Sequence, residues 1–272
     1  MAFAGSERFE VTGVLGKGGM GDVFEVHDRH RDMRVAVKTL RTLDPVALYR
    51  FKREFRAVAE LAHRNIVALY DLFAEGTDWF FTMELVPGAG FIEFVRAGRR
   101  LSDREPTPTP GVQGELPHVH GQVDLGRLRS ALGQLAEALV ALHDGGLVHR
   151  DLKPSNVRIT PEGRLVLMDF GIVAERRGPA LPADHAIGTP PYMAPEQAGG
   201  APATAASDWY GYGVMLYLAL TGRLPFRGSR REVLAAKQER DPPPPSALVR
   251  GVPADLDRLC RDLLARDPAQ RP

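Results

Sequence analysis

Hydrophobic periodicity changes once along this chain, at Pro87-Gly88, and that change limits the folds open to it. Before it, apolar residues run in short, β-rich stretches: Phe9 to Leu15, Val23 to Val26, Arg34 to Lys38, Ile66 to Phe73 and Trp79 to Val86. Their β-branched content and alternation predict strands. One helix interrupts them: Pro45 can open it, and Phe51, Phe55, Val58 and Ala62 fall on one helical face. After Pro87-Gly88 the period becomes helical. Leu125, Leu128, Leu132, Leu135, Leu139 and Leu142 step by three and four, with Asp124 placed as the cap and Gly145-Gly146 as the stop. Leu165 to Met168 reads as a short buried strand. Ser207 to Leu220 reads as a helix apolar on most sides, hence central, ended by Gly222. Asp241 with Pro242 to Pro245 predicts an extended connector, and Ala254 to Ala265 a last amphipathic helix. Strands first and helices second predict an α+β fold with a strand-built lobe over 1–86 and a helical lobe over 87–272. Within the second lobe, Gly98 to Gln122 is rich in Pro, Gly and Thr without periodicity and reads as a flexible insertion.

Composition removes several function classes. Over 272 residues, 35 basic side chains face 34 acidic ones, a net charge of +1 that gives no support to nucleic-acid binding. Hydrophobic residues at 44% argue against disorder. The single Cys260 excludes an internal disulfide and a cysteine-cluster metal site, and suits a reducing cytoplasm. Met1 to Glu10 lacks the features of a secretory signal, and Tyr210 to Leu220 is far shorter than the ~20 residues that span a bilayer. The expectation is a cytoplasmic chain without membrane insertion.

Three stretches carry chemistry. Gly16-Lys17-Gly18-Gly19-Met20-Gly21-Asp22-Val23 is a glycine-rich loop whose backbone can approach a polyphosphate. A dinucleotide loop would open a helix; these glycines lie between two strands, which favours a β-hairpin flap over phosphates. Lys38 ends the strand Val35-Ala36-Val37-Lys38, and Glu54 sits at the edge of the next helix's buried face, where its carboxylate could hold the Lys38 ammonium toward phosphates. His149-Arg150-Asp151-Leu152-Lys153-Pro154-Ser155-Asn156 sets an acid, a cation and an amide in one non-helical loop. Asp151 can accept a hydroxyl proton, Lys153 can neutralise a transferring phosphoryl group, and Asn156 can ligate Mg2+ through its amide oxygen. Asp169-Phe170-Gly171 offers a second carboxylate for the metal.

Taken in order with Ala194-Pro195-Glu196, Ser207-Asp208-Trp209 and Arg271, these segments resemble the protein kinases, in particular the eukaryotic-like Ser/Thr class of bacteria, from Phe9 to Arg271. The resemblance implies the bilobal kinase fold, with a small antiparallel sheet plus one helix above a larger helical lobe. It implies transfer of the ATP γ-phosphoryl group to Ser/Thr hydroxyls of protein substrates, in signal transduction, with ATP and Mg2+ (or Mn2+) bound. Carried over residue by residue, Leu15, Gly16, Lys17, Gly18, Gly19 and Gly21 cover the nucleotide, and Val23 and Ala36 close over the adenine. Met83 becomes the gatekeeper and Glu84 to Val86 the hinge. Lys38 contacts phosphates and pairs with Glu54, Asp151 is the base, and Asn156 and Asp169 hold the metal. Val58, Leu69, His149 and Phe170 stack as a spine anchored by Asp208, and Glu196 pairs with Arg271. Lys153 and Thr189 match the Ser/Thr class. The competing readings are a pseudokinase that binds nucleotide without turnover and a small-molecule phosphotransferase; the segment from Gly188-Thr189 to Glu196, which builds a peptide platform in protein kinases, opposes the latter.

The chain also departs from that pattern. Ile172 through Gly188 contains no Ser, Thr or Tyr, so loop phosphorylation is not expected to serve Arg150, and Asp184 or Glu175 could supply a fixed anion. Arg158 stands where an apolar side chain usually underlies the adenine; its stem could do so instead. Gly90 and Ser155 replace commonly acidic residues, so nothing calls for an arginine-rich substrate. Thr107-Pro108-Thr109-Pro110, His118 and His120 read as parts of a solvated loop, and the proline run as a rigid connector. The chain stops at Arg271-Pro272, where the family continues, so a longer parent with a downstream sensor or effector domain is expected.

Overall fold

The structure, a computed structural model, describes residues 3–18, 21–40, 45–75, 78–96, 121–169 and 189–272. Five antiparallel strands form the first sheet: β1 (Phe9–Gly18), β2 (Gly21–Asp28), β3 (Met33–Leu40), β4 (Leu69–Glu75) and β5 (Asp78–Glu84), in the order β1-β2-β3-β5-β4. Helix α1 (Pro45–Glu60) packs on it through Phe51, Phe55 and Val58. Phe51 and Phe55 lie 5.9 and 5.5 Å from the Phe81 ring, so an aromatic cluster sets the buried face of α1. Ala62 lies beyond the end of α1 and is exposed, because the helix stops at Glu60. Ile66 is not in β4 either. It forms a parallel bridge to Leu167 in the second lobe, flanked by Val67 N–H donating to the Leu167 carbonyl and Leu167 N–H donating to the Asn65 carbonyl.

The second lobe begins with β6 (Ala89–Gly90) and α2 (Phe91–Val95) and is organised by two helices. Helix α3 (Leu125–Asp144) buries Leu128, Leu132, Leu135, Leu139 and Leu142, and the Asp124 carboxylate caps it by accepting from Arg127 N–H at 3.0 Å. Strands β7 (Val157–Ile159) and β8 (Leu165–Leu167) complete a small sheet with β6. After the short α4 (Pro195–Ala198), helix α5 (Ala205–Thr221) starts two residues before the sequence-based boundary. It is buried over almost its whole length, as its all-round apolarity requires, and Gly222 ends it in the left-handed region at φ 71°.

Besides the short α4 and α7 (Pro245–Leu248), helices α2 and α6 (Arg230–Glu239) were not read from periodicity. The signal for α6 was present. Ser229 accepts from Glu232 N–H while Glu232 accepts from Ser229 N–H, a reciprocal capping box. The proline run is extended only in part, since Pro245 opens α7 (Pro245–Leu248), as proline can in a first turn. Helix α8 (Ala254–Leu263) then packs on α5 through Cys260, whose thiol lies 3.7 Å from the Gly213 carbonyl. Nearly all of the expected 98–122 insertion lies outside the described residues.

One buried ion pair ties the end of this lobe to its middle. Arg271 donates twice to the Glu196 carboxylate, at 2.7 and 2.8 Å, and also to the Ala206 and Ala265 carbonyls. Burial opposes the Glu196 charge, yet the guanidinium holds its pKa below the ordinary value. Arg271→Ala would leave that carboxylate without its main counter-charge. It should lower unfolding stability by about 3–5 kcal/mol in a urea titration, while exposed Arg129→Ala should leave the titration midpoint essentially unchanged.

Candidate active site

The centre of the site is a carboxylate that does not face solvent. Asp208 of α5 is 2% exposed and accepts from His149 N–H at 2.8 Å and Arg150 N–H at 2.9 Å. His143 Nε2 lies 2.9 Å from the same carboxylate. The backbone between His149 and Asp151 is therefore bolted to the central helix. Arg150 is held at φ 71°, in the left-handed region that a non-glycine residue enters at a cost of roughly 1–3 kcal/mol.

That turn presents three groups together. Lys153 Nζ donates to Asp151 at 2.5 Å and to the Thr189 hydroxyl at 3.1 Å, and the Thr189 hydroxyl donates to the other Asp151 oxygen at 3.2 Å. Asn156 commits its amide nitrogen to the Asp151 carbonyl at 2.8 Å, so its amide oxygen is the end left to act as a ligand. Asp169, at φ 54°, carries the second candidate ligand carboxylate, and the Asp169 carbonyl lies 3.5 Å from the Asn156 amide nitrogen. One carboxylate and one amide oxygen form a hard, oxygen-only donor pair, which fits Mg2+ or Mn2+. Among the described residues, no group of three His, Cys, Asp or Glu side chains is arranged for a metal.

The expected pairing of Lys38 with Glu54 is not what the structure holds. Lys38 Nζ donates to Asp169 at 2.6 Å, while Glu54 accepts from Arg150 at 3.1 and 3.3 Å. The reason lies in the choice open to Glu54. It points off the edge of α1 toward the lobe junction, where Nη1 of the Arg150 guanidinium lies within bonding distance of both carboxylate oxygens. Arg150 thus has an anion without an activation-loop phosphate; Glu175 and Asp184, the candidates from the sequence, lie outside the described residues.

Above these groups the glycine stretch forms a tight β-hairpin, with Gly16 opposite Val23, Lys17 opposite Asp22 and Gly18 opposite Gly21. It opens no helix, which agrees with a flap. A side chain at Gly16 would meet nothing, whereas a Cβ at Gly21 would lie 1.7 Å from the Thr39 carbonyl, so Gly21 serves the β2–β3 contact first. Gly19 lies outside the described residues. Ala36 and Met83 are buried cross-strand partners, Val23 is half-buried, and Leu15 is 45% exposed at the rim. Glu84 N–H is engaged by the Ala68 carbonyl at 2.8 Å, and its side chain pairs with Arg164. Arg158 is half-buried on β7, beside Gly90 on β6. Val58, Leu69 and His149 are buried, with His149 Nε2 2.9 Å from the Met168 carbonyl; Phe170 lies outside the described residues.

Sequence reasoning missed Lys237. On α6 it is 1% exposed, donates to the Met193 and Pro191 carbonyls at 2.5 and 2.8 Å, and stands 4.9 Å from the Tyr210 ring centre. Burial pushes its ammonium down to about 7, against the pull of Glu196. Its spacing from Val233 and Leu234, on the buried face of a capped helix, was the available signal.

This arrangement has close counterparts. The protein kinase domain model matches residues 9–272. Serine/threonine-protein kinase PknA of Mycobacterium tuberculosis is 36% identical over 275 aligned residues, covering 98% of this chain and 58% of that protein. PknB of the same organism is 34% identical, covering 98% and 41%. The chain thus spans about half the length of these curated relatives. The crystal structure of the Mycobacterium tuberculosis PknI kinase domain superposes with a TM-score of 0.70 at 26% identity, over 100% of this chain and 93% of that one. By that match over residues 9–272, the chain belongs to the protein kinase domain family.

Proposed function

We propose that this chain transfers the γ-phosphoryl group of ATP to serine and threonine hydroxyls of proteins. The observation that carries the reading is the triangle of Asp151, Lys153 and Thr189, fixed on a turn bolted to Asp208. An acceptor hydroxyl beside Asp151 gives up its proton to that carboxylate as its oxygen forms a bond to the γ-phosphorus. The bond from phosphorus to the β,γ-bridging oxygen breaks, and ADP leaves. Lys153 sets positive charge next to the group in flight. Lys38 serves the phosphates, the β1–β2 hairpin covers them, and the apolar walls at Val23, Ala36 and Met83 receive the base. Asn156 and Asp169 would hold a divalent cation, which when bound supplies charge neutralisation along the phosphates. Most of the rate gain asked of these residues is positioning.

The Ser/Thr assignment is supported by Lys153 and Thr189, which match the Ser/Thr class, and by the relatives, which are serine/threonine-protein kinases. Because those relatives are longer, a sensor or effector segment accompanying the domain belongs to the same proposal. So does a cytoplasmic location; no helix among the described residues is long and apolar enough to cross a membrane.

Mg-ATP and dephosphorylated casein, read by mass spectrometry, test the proposal. Wild type should incorporate phosphate on Ser or Thr, and Asp151→Asn should transfer it on the order of thousand-fold more slowly. ATP bound but never transferred by wild type would point to a nucleotide-binding module instead. Lys38→Met separates catalysis from folding. Lys38 is buried but Asp169 is one-third exposed, and methionine keeps an apolar stem in the lysine's slot, so the variant should stay folded in a urea titration while transfer falls by orders of magnitude.

A further inference from the structure

The loop from Thr189 to Ala194 is held at two places by different lobe elements. At its start, the Thr189 hydroxyl is tied to Asp151 and Lys153 of the catalytic turn. Further on, Lys237 of α6 reaches in from the other side and takes the Pro191 and Met193 carbonyls. Among the described residues, no other donor is bonded to either carbonyl. The same ammonium faces the Tyr210 ring, and the Arg271 guanidinium stands 5.0 Å from that ring while it holds Glu196. The loop therefore rests on α4, α5 and α6 through one buried cation.

A merely structural filler at this point would be apolar. Leucine or methionine would occupy the space without desolvating an ammonium, and burying one is expensive unless its donors are used. Here two of its three N–H donors are used, and both go to loop backbone. The loop's first residue touches Asp151, so a polypeptide that sets its hydroxyl there, advancing about 3.3 Å per residue, brings a flanking residue within reach of the loop. The ATP phosphates are reached instead from Lys38 and the hairpin, on other elements.

We propose that Lys237 is a positioning residue for the protein acceptor. By clamping the carbonyls of Pro191 and Met193, it fixes the 189–194 loop beside Asp151 and sets affinity for the acceptor polypeptide, not for ATP. This rests on the kinase reading above.

Steady-state kinetics with dephosphorylated casein as the acceptor separate the possibilities. In Lys237→Met the KM for casein should rise about tenfold, the effect of two lost hydrogen bonds, while the KM for ATP stays near the wild-type value. Lys237→Arg, which keeps donors on a long stem, should restore most of the casein KM. Where Lys237→Met melts below the assay temperature, Lys237→Gln, which retains a single amide donor group on a shorter stem, carries the same comparison. A folded variant with unchanged casein KM overturns the proposal and leaves the kinase reading standing. So does a fall in kcat with both KM values unchanged. A wild type inert toward casein and every other protein acceptor removes the kinase reading, and the proposal with it.

Discussion

The Asp208 carboxylate, sunk into the lobe at 2% exposure, is the interaction on which the site depends. Its two oxygens take two consecutive backbone N–H groups, and a histidine ring beside them adds a third partner. Consecutive N–H groups point the same way only where the chain turns sharply, and that turn puts Arg150 at positive φ. Without the buried anion, two desolvated donors would lose their acceptor, at about 1–3 kcal/mol each, and nothing would compensate the strain. The direction of Asp151, and through Lys153 the place of Thr189, follow from that one contact. It can be rigid because α5 is apolar all round and cannot move without exposing itself.

The two helices that matter for reactivity are held in contrasting ways. Helix α5 is enclosed by the lobe, whereas α1 is attached to the sheet through one face, by Phe51 and Phe55 against Phe81 and by Val58. Phe81 lies opposite Lys38 in the β3–β5 register, so the aromatic anchor sits beside the lysine it was expected to serve. Even so, Glu54 turns to Arg150. Apolar contacts are non-directional and fix which face of α1 is buried, but they leave its roll and slide softer than a hydrogen-bonded strand pairing would.

How far the site could be read from sequence follows from this difference. The Asp151–Asn156 loop and the glycine hairpin were legible because their chemistry is carried by side-chain types at fixed spacing, whereas the Glu196–Arg271 pair, 75 residues apart, came only from the resemblance to protein kinases. The span of α3 was legible because its leucines repeat and Asp124 caps them. The partner of Glu54 was not legible. Two cations, Lys38 and Arg150, come within reach of one carboxylate, and the choice is made by the setting of α1, which no local pattern encodes. Lys237 was hidden for another reason. Its acceptors are main-chain carbonyls 44 and 46 residues away, and a carbonyl has no sequence signature. Helix α6 could have been found from Ser229 and Glu232; what its lysine touches could not.

The exchanged ion pairs also show which force holds α1 where it is. At an effective dielectric of 20, opposite charges 4 Å apart attract by about 4 kcal/mol, and partial exposure reduces this further. The arrangement seen pairs Lys38 with Asp169 and Glu54 with Arg150. The expected one pairs Lys38 with Glu54 and frees Asp169 for a divalent cation. The arrangement seen gives both carboxylates a cation from this chain's own side chains. What sets it is the approach of one Arg150 nitrogen to both Glu54 oxygens, the strained turn that aims Arg150, and the aromatic contacts of α1. Of these, the turn is fixed by Asp208 and the aromatic cluster by β5, so the guanidinium contact is the one that can be released without unfolding either lobe.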